Sequence, residues 1–401
     1  MTRYPEANLG DLIEIFDSRR VPLSSIERAK RPGPFPYYGA AQIFDSIDDF
    51  LFDGTFLLVG EDGSVVRENG RPFVQVARGR FWANNHTHVL RPVDGVDFWY
   101  LQTAVEFADI SGHITGAAQP KLNQANLRRI SLPFPPEPIR NLIGGIASAF
   151  FELIGNNSRR IEILEEMAQA IYREWFVEFR YPGHEDVPLV DSELGPIPEG
   201  WAVRELREVV RVNEHSLKAG AEIGEIQYVD IASVDVGRIS KTQTIEYSEA
   251  PGRARRKGQH GDIIWSTVRP NRRAYAQLID PPTNLVMSTG FAVISPVRLP
   301  SSLLKQMLST DAFVGYLSSR ATGATYPAVT PSDFEEARFV VADEATNSKF
   351  NELAEPIDTL IAFLKSEIEI LSETRDLLLP KLISGEIDVS ELDFELADSL
   401  L

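Results

Sequence analysis

Apolar positions along this chain change period twice. Short runs such as FLLVG (56–60), FVQVA (73–77), DIIWSTV (262–268) and FAVIS (291–295) are dense in β-branched and aromatic residues. Gly, Pro and Asn turns separate them, which predicts strands over about 10–136 and again over about 201–345. After each region the spacing widens to alternating steps of three and four. One series runs Ile139, Ile143, Ile146, Phe150, Leu153, then Ile161, Leu164, Ala168, Ile171 and Trp175. The other runs Leu353, Ile357, Leu360, Leu364, Ile368, Leu371, Leu378 and Leu382. That spacing predicts helices with a coiled-coil-like seam. At 1.5 Å per residue each would be about 50 Å long. A small globule cannot bury so narrow a stripe along its whole length, so the helices are expected to pack on each other. The intervening domain must bring the chain back, which makes them antiparallel. Pro380 predicts a kink or an end near that point of the second helix.

The same plan occurs twice because the chain repeats itself. Gly116, Ala117 and Pro120 in TGAAQPKL meet Gly323, Ala324 and Pro327 in TGATYPAV, an offset of 207. The same offset relates Arg160–Leu164 to Glu367–Leu371, and Gly54 before TFLLVG to Gly261 before DIIWST. HVLRP ending at Pro92 and AVISP ending at Pro296 are related by 204, a three-residue indel. The predicted class is α+β: two α/β domains joined by two long antiparallel coiled-coil-like helices, a pseudo-two-fold internal repeat. Its expected segments are a first domain (1–138), a first helix (139–180), a linker (181–200), a second domain (201–346), a second helix (347–385) and an acidic tail (386–401). The linker, rich in Pro, Gly and acid, is expected to be exposed.

Composition narrows the chemistry. With 401 residues, 43% hydrophobic and 24% charged, the chain suits two or three ordinary domains. The absence of cysteine excludes disulfides, thiolate metal sites and a Cys nucleophile. No apolar run approaches a membrane span, and MTRYPEANLGDL lacks the order of a signal peptide, so a cytoplasmic location is expected. The net charge of −18 argues at first against nucleic acid. It is unevenly placed, however. Residues 351–401 hold 13 acids against Lys365, Arg375 and Lys381, whereas 253–273 hold seven basic residues against the single acid Asp262.

Catalytic motifs are missing. Asp280-Pro281-Pro282 approaches the loop of an amino-methyltransferase, but Thr283 replaces the aromatic that would stack on a flipped base. No Walker loop is present. His86 and His88 would share a strand face, yet lack a third ligand, so no metal is assigned to this chain.

Four stretches carry a family resemblance. They are RRVPLSSIERAKRPGPFPYYGAAQIFDSIDDFLFDGTFLLVGEDGSVV (19–66) with FWANNHTHVLRP (81–92), TGAAQPKLNQANLRRISLPFPP (115–136), LEEMAQAIYREWFVEFRYPGHE (164–185) with LGPIPEGW (194–201), and ETRDLLLPKLISGEID (373–388). Through them the chain resembles the DNA specificity subunit of type I restriction–modification enzymes over essentially its whole length. The resemblance implies two target recognition domains, each reading one half of a split double-stranded DNA site, with the helices fixing the gap. It implies two methyltransferase subunits and restriction (motor–nuclease) subunits as partners, in a complex that methylates adenine N6, cuts DNA site-specifically and defends against phage. The subunit itself is then non-catalytic, with S-adenosylmethionine, ATP and Mg on the partners. The alternatives are a coiled-coil adaptor without DNA contact and a fused methyltransferase or nuclease.

The candidate DNA contacts follow from charge. In the second domain they are Arg253, Arg255, Arg256, Lys257, Arg269, Arg272 and Arg273, although ordinary solvated arginines would read the same. In the first they are Arg67, Arg71, Arg78 and Arg80, with Gln119, Lys121, Asn123 and Gln124. Asn123 and Asn126 could equally cap a helix. Tyr326 holds in the second copy the place of Gln119, where different half-site readout is expected. Trp175, Phe176, Phe179, Leu378, Leu379 and Leu382 are expected to meet the methyltransferase subunits, although burial against their own domains would explain them too.

Overall fold

Strand alternation assigns the core of each domain. All five residues of Phe56–Gly60 are buried, yet they serve two cores: Leu57 and Val59 belong to one, Phe56 and Leu58 to another. A two-residue side-chain period requires this of a central strand. In Ile263–Ser266, Ile263 and Trp265 likewise part from Ile264. The computed structural model describes residues 4–116, 119–218 and 223–389. Ala117 of the repeat match and the part of the acidic tail from 390 onward lie outside the described residues. The chain divides into two units, 1–157 with 367–401, and 158–366.

Both units have the same sheets. In the first, one four-stranded sheet is ordered Ile13–Ile15, Thr87–Pro92, Phe56–Gly60, Val74–Ala77. The second is ordered Ile43–Ile47, Pro32–Tyr38, Arg80–Ala83, Phe52–Asp53, and Pro32–Tyr38 runs parallel to Arg80–Ala83. The other unit repeats both. One sheet is Val210–Val212, Phe291–Pro296, Ile263–Ser266, Tyr275–Gln277; its fellow is Gln243–Glu246, Glu225–Val229, Leu285–Ser288, Ala254–Arg256. The parallel pair is again the two middle strands, Glu225–Val229 and Leu285–Ser288. A two-stranded ladder completes each unit, Glu6–Asn8 with Ser131–Pro133 and Ala202–Glu205 with Arg338–Val341. The internal repeat is therefore one of topology, kept where the sequence has diverged.

The long helices run Glu137–Tyr172 and Glu344–Ser384. Within each unit they pack antiparallel. In the first unit Ile139, Ile143 and Ala147 share a core with Leu379, Leu382 and Ile383, while Asn157 donates to Glu367 Oε2 at 2.8 Å. In the second, Phe350 meets Trp175 and Phe176, and Lys365 Nζ lies 3.4 Å from Glu165. Burial pulls the Lys365 ammonium below its usual range, against the opposing pull of Glu165.

Three expectations change. The long helices bury polar groups: Asn157 donates from one helix to Glu367 on the other, and buried Asp358 accepts from Lys305 of the helix Ser301–Ser309 at 2.6 Å. Leu153 and Leu353, expected inside, are exposed, and Ala354 takes the inner position. Pro380 does not end the helix. Leu379, Leu382 and Ile383 bury that turn, and the chain leaves the helix at Gly385, whose φ of +76° suits glycine. The linker is largely exposed, as expected, but not structureless: Leu189–Val190 pairs with Ile197–Pro198, and Tyr181, Ile197 and Trp201 anchor its ends in the core of the second unit.

Phe350 is 0% exposed among Tyr172, Trp175 and Phe176. Phe350→Ala should therefore cost about 3–5 kcal/mol in urea unfolding of the full chain. A loss below about 1 kcal/mol would show that the aromatic cluster does not hold this helix end.

Candidate nucleic-acid interface

One loop is built the same way in both units. Thr115 and Lys121 exchange backbone hydrogen bonds at 2.9 and 2.8 Å, and Thr322 and Ala328 do so at 2.9 Å each. Each loop turns at a glycine in the left-handed region, Gly116 (φ +85°) and Gly323 (φ +107°). Each is docked on the end of a central strand: the Leu122 N–H donates to Glu61 O at 2.8 Å, and the Val329 N–H to Thr267 O at 2.9 Å. A short helix follows, capped by Asn123, which accepts from the Asn126 N–H at 2.9 Å, and by Thr330 in a capping box with Asp333. Asn123 thus has the capping role that the sequence left open.

The side chains differ. Gln119 and Lys121 are exposed on the first loop, and Tyr326 is 66% exposed on the second. Arg269 secures the second loop. Its N–H donates to Pro327 O at 2.7 Å, its guanidinium donates to Thr325 O at 3.2 Å, and it stacks on Tyr326 at 4.6 Å. Arg269 and Arg273 adopt φ of +52° and +54°, a region non-glycine residues avoid.

A charged cluster lies beneath the first loop. His88 is 0% exposed; its Nδ1 lies 2.6 Å from Asp17 Oδ2 and its Nε2 2.7 Å from Leu122 O. Asp17 also accepts from the Val89 N–H at 2.9 Å and from Gln124 Nε2 at 2.7 Å. Arg20 donates to Glu61 at 2.7 Å and lies 3.5 Å from Asp17. Burial pushes the Asp17 carboxyl up, but the His88 hydrogen bond and charge, the Val89 N–H and Arg20 outweigh it and hold it below the ordinary carboxylate range. Asp17, Glu61 and His88 bring ligand-type atoms within 4.8 Å of one another. They do not suit a cation, because both His88 nitrogens are engaged and the Arg20 guanidinium already occupies the space between the two carboxylates. His86 is separate, exposed and paired with Asp62.

The remaining candidates divide by what holds them. Arg78 stacks on Trp99 and Phe151 at 4.9 Å each and pairs with Glu152 at 2.7 Å, so a phosphate would have to displace three partners. Arg67 lies over Phe73 and Arg71 over Phe107; Arg80 lies over Phe50 and pairs with Asp53. The basic stretch of the second unit is split. Arg253 donates to Tyr228 and Asp230, Arg255 to Tyr247 and two carbonyls, Arg256 to Ser216 and Lys257 to Thr283 O. Burial lowers the proton affinity of Arg256 and Lys257. Arg273 pairs with Asp311. Arg272 is exposed, with no side-chain partner among the described residues. The Arg253 carbonyl accepts from Thr289, and Gly290 O accepts from Thr267, which puts Arg253 and the Arg269 loop beside one turn.

The expected partner residues need correction. Trp175 and Phe176 lie in the core of the second unit, and Leu379 and Leu382 in that of the first, so they are not available to a partner. Phe179 and Leu378 are half-buried against the same cores. Exposed instead are Phe363 (64%), Ile370 (61%) and Leu377 (70%), seven residues apart, which seam spacing alone did not isolate. The Asp280 turn pairs with His260 at 2.9 Å on the surface.

Residues 3–166 match the family model described as the type I restriction modification DNA specificity domain. The chain is 27% identical over 332 residues to the type I restriction enzyme MjaIX specificity subunit of Methanocaldococcus jannaschii, covering 80% of this chain and 76% of that protein. It is 22% identical over 415 residues to the MjaVIII specificity subunit of the same organism, covering 98% and 96%. Its fold is similar to that of the type I restriction–modification S subunit from M. genitalium, with a TM-score of 0.60 at 15% identity over 95% of this chain and 96% of that one. Over residues 3–166 the chain thus matches a type I restriction–modification specificity domain, and over most of its length it is similar to type I specificity subunits. No helix among the described residues is long and apolar enough to cross a membrane.

Because the native Asp17 carboxyl is held low, its stabilisation is complete above the ordinary range near pH 4 and is lost as pH falls through the lowered native value. Asp17→Asn should cost about 1–3 kcal/mol at neutral pH and flatten the acid limb of stability against pH. Urea unfolding between pH 3 and 7 measures both, and an unchanged acid limb would contradict the assignment.

Proposed function

We propose that this chain reads a split double-stranded DNA site with its two domains and scaffolds the other subunits of a type I restriction–modification complex. The observation that carries this is the repeated loop frame with different tips, Gln119 and Lys121 on one and Tyr326 with Arg269 on the other. A constant frame with variable side chains is the arrangement needed to read two different base sequences. The long helices set the gap between the half-sites and offer apolar surface to methyltransferase subunits, with Phe363, Ile370 and Leu377 the most exposed of their large apolar side chains. The restriction subunits complete the assembly. The chain performs no chemistry itself, and S-adenosylmethionine, ATP and Mg are held by the partners. The chain works in the cytoplasm, where phage DNA arrives.

Charge reversal at Arg269 and Arg272 tests DNA contact. The assembled complex should bind its methylated motif at least tenfold more weakly, and the slope of log affinity against log salt should fall by about one for each phosphate no longer neutralised. Unchanged affinity and slope would favour an adaptor without DNA contact. Removing one heptad from both long helices should shorten the gap in the motif read by adenine-methylation mapping, and an unchanged gap would refute the spacing role.

A further inference from the structure

The geometry points to Asp17 and His88 as positioning residues for the first domain's readout segment, which they hold through a buried hydrogen-bonded pair whose histidine is replaced by Ala292 in the second domain. This rests on the DNA-reading role proposed above. Hydrogen-bond partners fix the protons. Leu122 O only accepts, so His88 Nε2 carries a hydrogen. Asp17 accepts from the Val89 N–H and Gln124 Nε2 and lies beside Arg20, which requires a carboxylate. His88 Nδ1 and the Asp17 carboxylate share a buried hydrogen bond, and Arg20 and Glu61 close the set around them. The other charged groups facing the set are Lys121, 3.7 Å from Glu61, and Asp62, which pairs with His86.

This set grips the four residues Lys121–Gln124. His88 holds the Leu122 carbonyl, the Glu61 carbonyl takes the Leu122 N–H, Asp17 takes the Gln124 amide, and the Glu61 carboxylate attracts Lys121. Gln124, a candidate base reader, thus turns its amide nitrogen inward. In the second unit the backbone tie survives and the charge does not. Asn213 Oδ1 accepts from the Val293 N–H at 3.0 Å, as Asp17 does from Val89. Opposite Trp265, at the place His88 takes opposite Val59, stands buried Ala292. Loss of the His88 ring should therefore blur one half-site and leave the other intact.

The test uses the full-length chain in its complex and duplexes carrying the motif mapped by adenine methylation, each with single-base changes in one half or the other. His88→Gln should reduce discrimination by about tenfold or more in one half while the other stays within about twofold. Equal losses in both halves, or no loss, would overturn the proposal. Absence of discrimination by the unmutated complex would instead refute the DNA-reading role itself. Should His88→Gln fail to fold, Asp17→Asn is measured in the same way: a loss confined to the same half is expected, and equal losses in both halves or no loss would overturn the inference.

Discussion

A helix 36 residues long with a narrow apolar stripe is not a stable object in water, and everything else in this chain answers that constraint. Each unit closes its core with a piece of both helices. In the first, Ile139 and Ile143 from one helix and Leu379 and Leu382 from the other lie under the same sheet. That unit joins residues 1–157 to 367–401, so its core is incomplete until the last helix has been made. Contacts this distant in sequence slow folding but tie each domain to the helix pair. A polar residue in the seam fits the same logic: buried Asn157 on one long helix donates to Glu367 on the other, a pairing that favours one register.

The duplication separates what the fold needs from what differs between the copies. Strand order, the parallel middle pair, the glycine-turned loop and its capped helix recur. The tips do not, and neither does the support beneath them. One loop is tied down by a hydrogen-bonded pair around His88 and the other by Arg269 stacked on Tyr326, with Ala292 and Trp265 packed below. A repeat diverging under a common fold constraint keeps its backbone hydrogen bonds first, because an unpaired buried N–H costs more than a changed side chain.

Much of the architecture was legible because period and repeat are local properties. FLLVG reads as a central strand, and steps of three and four read as helix. The helix start was less visible. Asp343 caps it by accepting from the Thr346 N–H at 2.9 Å, well before the first seam residue at Leu353. The seam drifted at Leu153 and Leu353 because hydrophobicity alone cannot tell a buried Asn157 or Asp358 from a solvated one. The candidate site was legible only as a set of charges. Arg78 and Arg272 look alike in sequence, yet one lies against the touching rings of Trp99 and Phe151 and the other has no side-chain partner among the described residues. The Asp17–His88 pair joins residues 71 positions apart, and no local spacing announces it.

The backbone at Arg269 and Arg273 bears on which basic residues matter. Glycine would occupy φ near +50° without penalty, whereas an L side chain there costs about 1 kcal/mol. Two arginines of one turn carry that cost, so their side chains return more than the strain removes. Arg273 returns it by pairing with Asp311 at the start of the helix Asp311–Arg320. Arg269 returns part of it by holding Thr325 and Tyr326. Arg272, exposed between them, makes no such contact and gives the fold nothing in exchange for its charge. In a chain with net charge −18, Arg272 is thus the arginine of this turn whose side chain the described fold does not engage.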